Sequence, residues 1–346
     1  MALYFPVMPS NTITDITVIG GGPTGLFAAF YAGMRGASCR IIDALPTLGG
    51  QLMALYPEKY IYDVAGFPRV LAKDLVDGLN QQALQFGAEV RLGETVTGLK
   101  RETVDGAELF VLETDGGIYP TRTIVIAAGI GAFEPRKLSL EEAVAWEGKG
   151  VHYNVVDPKR FAGKRVLLVG GGDSAFDWAL GLQGVAASVA LIHRRDGFRA
   201  HQATIDQVMR LQAQGQCTVR TFAEVKGIAG EGRVERVLLE DTKTKEQWTL
   251  EVDAIIPLLG FVSDLGAINA WGLAQEKEDI VVDRVMETNV PGIYAAGDVC
   301  TYAGKLKLIA TGVGEAAIAV NNAVHRIDPK RKVNPGHSSD LKIFEK

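Results

Sequence analysis

Two glycine-rich turns, each set between a short apolar run and a run of small and apolar residues, recur 150 residues apart and constrain this chain more than any other feature. The first is Gly20-Gly21-Gly22-Pro23-Thr24-Gly25, after Ile16-Thr17-Val18-Ile19 and before Leu26 to Arg35. The second is Gly170-Gly171-Gly172-Asp173-Ser174-Ala175, after Arg165 to Val169 and before Phe176 to Leu182. A strand, a tight turn, a helix and a further strand (Ser38 to Ile42, then Ser188 to Ile192) open a parallel βαβ unit. Both copies also close alike. Thr123 to Ile126 runs into Ala127-Ala128-Gly129, and Ala254 to Ile256 into Leu258-Leu259-Gly260. The expected fold class is α/β, with two Rossmann-like dinucleotide-binding domains.

The length of 346 residues corresponds to about two domains. Thr288 to Val299 reads as a turn, a strand and a Gly-Asp corner, and Gly312 to His325 as a small-residue helix; both complete the first unit. The second domain is therefore an insertion. Residues 1–133 and 287–346 are expected to form one discontinuous domain with a C-terminal extension, and residues 134–286 the other. Two short crossings between them would make a hinge.

Composition narrows the function classes. A net charge of −5 provides no global positive field for a nucleic-acid binder. Cys39, Cys217 and Cys300 are odd in number and far apart, which implies neither a disulfide framework nor a zinc site and fits a reducing cytoplasm. No window reaches the roughly 18 apolar residues of a membrane span, so no membrane role is expected.

The glycine motifs bear on phosphate. In G-x-G-x-x-G, Gly20 permits the tight turn, Gly22 lets a pyrophosphate approach the backbone, and Gly25 lets the helix lie close to the strand. Gly170, Gly172 and Ala175 occupy the same slots in the second copy. The strand ends then separate the two sites. Asp43 stands eighteen residues after Gly25, where a carboxylate can accept hydrogen bonds from ribose hydroxyls. Eighteen after Ala175 the chain has His193, then Arg194 and Arg195, with Arg199 close behind. Guanidinium groups pair with a 2′-phosphate, so the second site is read as an NADPH site.

A third motif, Thr288-Asn289-Val290-Pro291-Gly292-Ile293-Tyr294-Ala295-Ala296-Gly297-Asp298, ends a strand with a glycine turn and a carboxylate. Gly297 and Asp298 suit a polyhydroxyl chain such as the ribitol of FAD. Gly312-Val313-Gly314-Glu315 follows as a second helix start that could face the flavin.

The order of these motifs, with Leu48-Gly49-Gly50-Gln51, resembles the two-dinucleotide flavoproteins that include thioredoxin reductase. Where those enzymes carry Cys-x-x-Cys, this chain has Val151-His152-Tyr153-Asn154-Val155. Without paired thiols, electrons cannot pass to a disulfide by exchange. A closer resemblance, over nearly the full length, is to the thioredoxin-reductase-like ferredoxin-NADP reductases of bacteria. It rests on Leu55 to Pro68, on His193 to His201 and on Pro335-Gly336-His337-Ser338-Ser339.

That resemblance implies flavin contacts at Thr24, Asp43, Gln51, Tyr56, Val96, Phe133, Asp298 and Ser339. Tyr56 would stack on one face of the flavin and His337, from the tail of a partner subunit, on the other. It implies a homodimer that takes a hydride from NADPH onto flavin N5 and passes single electrons to ferredoxin, or to flavodoxin. Arg326, Lys330, Arg331 and Lys332 are candidates for docking an acidic carrier. Two other readings stay open: an NADPH-dependent flavoprotein reductase of another acceptor, and a non-enzymatic NADPH/FAD redox sensor.

Overall fold

The computed structural model describes residues 12–340 except 105, 132, 133, 154, 156 and 263. The chain divides into two units, Met1–Ala132 with Ser263–Lys346, and Phe133–Val262.

In the first unit β1 (Thr14–Ile19) lies parallel between β2 (Cys39–Asp43) and the chain end of a long strand. β3 (Glu89–Leu92) extends the parallel edge beside β2. β4 (Val96–Val104), β5 (Ala107–Thr114) and β6 (Ile118–Ile126) form an antiparallel meander, and β6 returns to pair in parallel with β1. The short strand Ile293–Ala295 pairs with the last residues of β6, so the C-terminal part of the chain completes the sheet. Strands covered on both faces read as continuous apolar runs, and β1 and β2 are almost wholly buried. Helix α1 (Pro23–Met34) packs against the C-terminal helix Ile309–Ile327 and against α3 (Ala72–Leu84); the five-residue α2 (Gln51–Leu55) precedes α3.

The second unit holds a four-stranded parallel sheet of β7 (Arg165–Val169), β8 (Ser188–Ile192), β9 (Thr218–Arg220) and β13 (Ala254–Pro257), in the order β9-β8-β7-β13. Between β9 and β13 the chain makes an antiparallel sheet of β10 (Ala223–Ala229), β11 (Arg236–Asp241) and β12 (Gln247–Glu251). Side chains alternate across a strand. Leu167, Val169 and Ile255 accordingly join the core under that sheet, while Val166, Leu168, Ala254 and Ile256 join the core that holds α4 (Asp173–Gly181). Helix α5 (Gln202–Ala213) adds Val208 to the second of these.

Two boundaries differ from the sequence reading. Helices α1 and α4 begin at Pro23 and Asp173, so the last residues of each glycine motif are already helical; proline at the first position is pre-organised for this in α1. The inserted unit ends at Val262 rather than at residue 286. Packing is the reason: Ile268, Leu273, Ile280, Val282 and Met286 lie in the same buried cluster as β1 and β6, and Ile280 pairs in parallel with Cys300.

Candidate functional site

The first glycine turn is filled on one side and open on the other. Gly20 has φ +106°, and a Cβ there would collide with the Ala127 carbonyl; one on Gly25 would collide with the Gly20 carbonyl. At Gly22 the nearest atom would be Gly50 Cα at 3.9 Å. Gly22 caps α1 without a side-chain hydrogen bond, so first-turn N–H groups face that space. An anionic group fits such a cradle.

Asp43 closes one edge of it. Its carboxylate accepts the Gly21 N–H and, at 2.8 Å, the Leu45 N–H. Burial pushes its carboxyl pKa up, against the pull of those two donors. Each oxygen keeps acceptor capacity for a ribose hydroxyl.

The other elements converge on the same end of the sheet. Gly49 and Gly50 have positive φ and lead into α2 at Gln51, whose Nε2 would lie 3.2 Å from a Cβ on Gly129. Tyr56 ends α2, and its phenol pKa is raised by burial first and by the nearby Asp298 next. Tyr56 is therefore within electrostatic reach of Asp298. Gly297, at φ +83°, and Gly312 both abut the Thr24 side chain, which brings the starts of α1 and the C-terminal helix together. Val96 is buried at the start of β4. Burial also raises the Asp298 carboxyl pKa, with Lys305 and Lys307 opposing.

Glu315 holds this turn from behind, a role the sequence reading did not give it. Its carboxylate accepts the Gly297 N–H at 2.8 Å and the Tyr302 hydroxyl at 2.6 Å, and pairs with Lys305 at 2.5 Å. Both partners of the ion pair are about 95% buried, with side-chain exposures of 4% and 5%. The sequence signal was available: an acid within the second turn of an otherwise small and apolar helix.

The remaining expected flavin contacts are Phe133, His337 and Ser339. Phe133 lies outside the described residues. His337 and Ser339 are exposed, and no hydrogen bond ties either side chain to another described residue. The segment before them is anchored by the buried Arg35, which donates to the carbonyls of Val333 at 3.0 Å and Lys332 at 2.7 Å. Of the basic cluster, Arg326 sits 3.5 Å from Glu287, while Lys330 and Lys332 are exposed.

The second glycine turn repeats the first with different chemistry. A Cβ on Gly170 would collide with the Leu258 carbonyl, whereas nothing lies within 4 Å of one on Gly172. Ala175 is fully buried and Gly172 caps α4. The arginine loop is tied over this turn: Arg199 N–H donates to Gly171 O at 2.7 Å, and His201 N–H to Asp173 Oδ1 at 2.9 Å. Arg194, Arg195 and Arg199 are exposed. His193 is half-buried; burial lowers its pKa, a hydrogen bond with Gly197 opposes this, and the three arginines lower it further. The site is cationic around an open glycine, which suits a phosphorylated nucleotide.

Cys39, Cys217 and Cys300 are buried and unpaired, and no group of metal-ligating side chains occurs among the described residues. No described helix is long and apolar enough to cross a membrane.

Comparison with known proteins accords with this geometry. Residues 14–322 match the pyridine nucleotide-disulphide oxidoreductase family. The chain is 53% identical to a ferredoxin–NADP reductase of Halalkalibacterium halodurans, over 94% of this chain and 97% of that protein. It is 51% identical to a ferredoxin–NADP reductase of Thermus thermophilus, over 94% and 97%. Among solved structures, thioredoxin reductase of T. acidophilum superposes with a TM-score of 0.74 at 27% identity, over 91% of this chain and 98% of that one.

Proposed function

The chain belongs to the pyridine nucleotide-disulphide oxidoreductase family, and from that premise we propose that it is a ferredoxin–NADP reductase. It transfers electrons between NADPH and ferredoxin through FAD. The observation that carries the assignment is the contrast at two equivalent strand ends: Asp43 against Gly21, next to the open Gly22, and His193, followed by Arg194 and Arg195, against Gly171, next to the open Gly172.

FAD, when bound, supplies a ring that accepts a hydride and gives up electrons one at a time. The chain's own residues bind and orient. Gly20, Gly22 and Gly25 let α1 present its N–H groups to the pyrophosphate, Asp43 takes the ribose hydroxyls, and Thr24 and Gln51 border the cradle. Gly297 and Asp298 meet the ribitol. Tyr56 would cover one ring face and exclude water from it. In the other unit Gly170 and Ala175 let α4 pack close, Gly172 admits the NADPH pyrophosphate, and Arg194, Arg195 and Arg199, with His193, take its 2′-phosphate.

The same proposal includes a homodimer whose partner tail brings His337 and Ser339 to the flavin, flavodoxin as a second acceptor, and a cytoplasmic location that the unpaired cysteines favour. Lys330, Arg331 and Lys332, with Arg326, form the docking patch. No Cys-x-x-Cys pair stands between flavin and acceptor, which sets this chain apart from a thioredoxin reductase.

Stopped-flow reduction by NADPH and by NADH, followed by mixing with ferredoxin or thioredoxin, tests the assignment. Rapid reduction by NADPH and reoxidation by ferredoxin alone are expected. Arg194→Ala with Arg195→Ala should erase the preference for NADPH; equal losses with both nucleotides would show the 2′-phosphate assignment to be wrong.

A further inference from the structure

The turn joining β11 and β12 is fastened to the backbone of the arginine loop. Ala223 N–H donates to His193 O at 3.0 Å, and Thr242 N–H to Phe222 O at 2.7 Å. Thr242 Oγ1 donates to Arg194 O at 3.3 Å. Lys243, the next residue, therefore stands beside Arg194. Its ammonium rests 3.5 Å from the centroid of the Phe222 ring, and Phe222 itself holds φ +54°.

The nearby acids are committed elsewhere. Asp241 Oδ1 accepts the Lys243 and Thr244 N–H groups inside the turn, at 2.9 and 3.0 Å. Glu240 is taken by Lys245 at 3.3 Å, by Lys226 at 3.6 Å and by Gln247. Among the described residues no carboxylate pairs with Lys243, and the same holds for Arg194, Arg195 and Arg199. Arg220, paired with Ile192 across the sheet, is stacked on Trp248 at 3.5 Å. Asp196 is the one acid on the arginine loop itself.

Four exposed cations without ion-pair partners thus come from two separate segments, held together by main-chain hydrogen bonds. Uncompensated like charges repel, and such a cluster is stabilised when a multivalent anion enters it. We propose that Lys243 is a further specificity-determining residue for the 2′-phosphate of NADPH, reaching the phosphate from the turn between β11 and β12. The inference rests on the reading of the second site as an NADPH site. The Phe222 ring limits the freedom of the lysine side chain, so less entropy is lost when the phosphate binds.

Dissociation constants of the purified holoprotein for NADP⁺, NAD⁺, 2′,5′-ADP and 5′-AMP provide the test. Lys243→Gln should weaken NADP⁺ and 2′,5′-ADP by about three- to tenfold, the size of one exposed charge-assisted contact. NAD⁺ and 5′-AMP should be unmoved, and Lys243→Arg should restore NADP⁺ binding. Equal effects on all four ligands, or none, would overturn the inference. Should Arg194→Ala with Arg195→Ala discriminate while Lys243→Gln does not, the inference fails and the NADPH reading stands. Should neither discriminate, both fail.

Discussion

Glu315 accepts the Gly297 N–H at 2.8 Å across eighteen residues of chain, so a buried carboxylate fixes the turn that carries Asp298. The same carboxylate neutralises Lys305, and the two are interdependent because neither reaches water.

Glu315→Ala should therefore cost roughly 3–5 kcal/mol, because it strands a buried ammonium as well as removing an acceptor. Urea unfolding of the holoprotein reads this. Glu315→Gln, which keeps an acceptor for Gly297, should lose less and retain more FAD. Equal stability of wild type and Glu315→Ala would show that the pair does not hold the turn.

Gly22→Ala and Gly25→Ala should fail in different ways. A methyl at Gly25 meets the Gly20 carbonyl, and overpacking of this kind costs about 1–3 kcal/mol or more, so the apoprotein should melt earlier. A methyl at Gly22 meets only Gly50 Cα, at a comfortable 3.9 Å. Its apoprotein should melt like wild type while flavin content falls. Differential scanning of the apoproteins and flavin absorbance of the purified proteins separate the two.

Thiol reagents should leave turnover intact. Burial pushes the thiols of Cys39 and Cys300 up to about 12 and that of Cys217 up as well, so almost no thiolate exists at neutral pH. Iodoacetamide treatment of the native protein, followed by mass analysis and a ferredoxin-reduction assay, should find three unmodified cysteines and full activity. Inactivation that tracks alkylation of one cysteine would indicate a thiol step.

His193 gives a pH dependence of stability with a definite sign. Its folded pKa lies below 6.5, chiefly through burial, so the unfolded chain binds the proton more tightly. The contribution is present above 6.5 and is lost as pH falls through the folded value. Wild type should lose stability relative to His193→Gln as pH falls below 6.5, which melting curves of the two across that range read. A wild type that gains stability relative to His193→Gln on acidification would contradict the burial of the ring.

Much of the site was legible because phosphate recognition is local in sequence. A strand, a glycine turn and a helix fall within about twenty residues, and the side chain at the next strand end is set by the right-handed crossover. Asp43 and His193-Arg194-Arg195 could be placed at equivalent strand ends by counting. The partners of Glu315 and Lys243 could not be read, since each acts through a tertiary contact with no spacing rule. Glu315 reaches back to Gly297 from a helix, and Lys243 is delivered by a separate antiparallel sheet. The end of the insertion was misplaced for a related reason. Residues 264–286 resemble a continuation of the second unit, but their apolar side chains enter the core of the first.

The ends of the inserted unit have one more consequence. Glu134–Pro135 pairs antiparallel with Phe261–Val262, and on the other unit Gly131 bridges Asp264. Residues so paired stand about 5 Å apart. The inserted unit is therefore a cassette whose two ends meet, and so do the ends it would leave behind. A gene could gain, lose or exchange that unit as one uninterrupted stretch, without rethreading the sheet of the other unit.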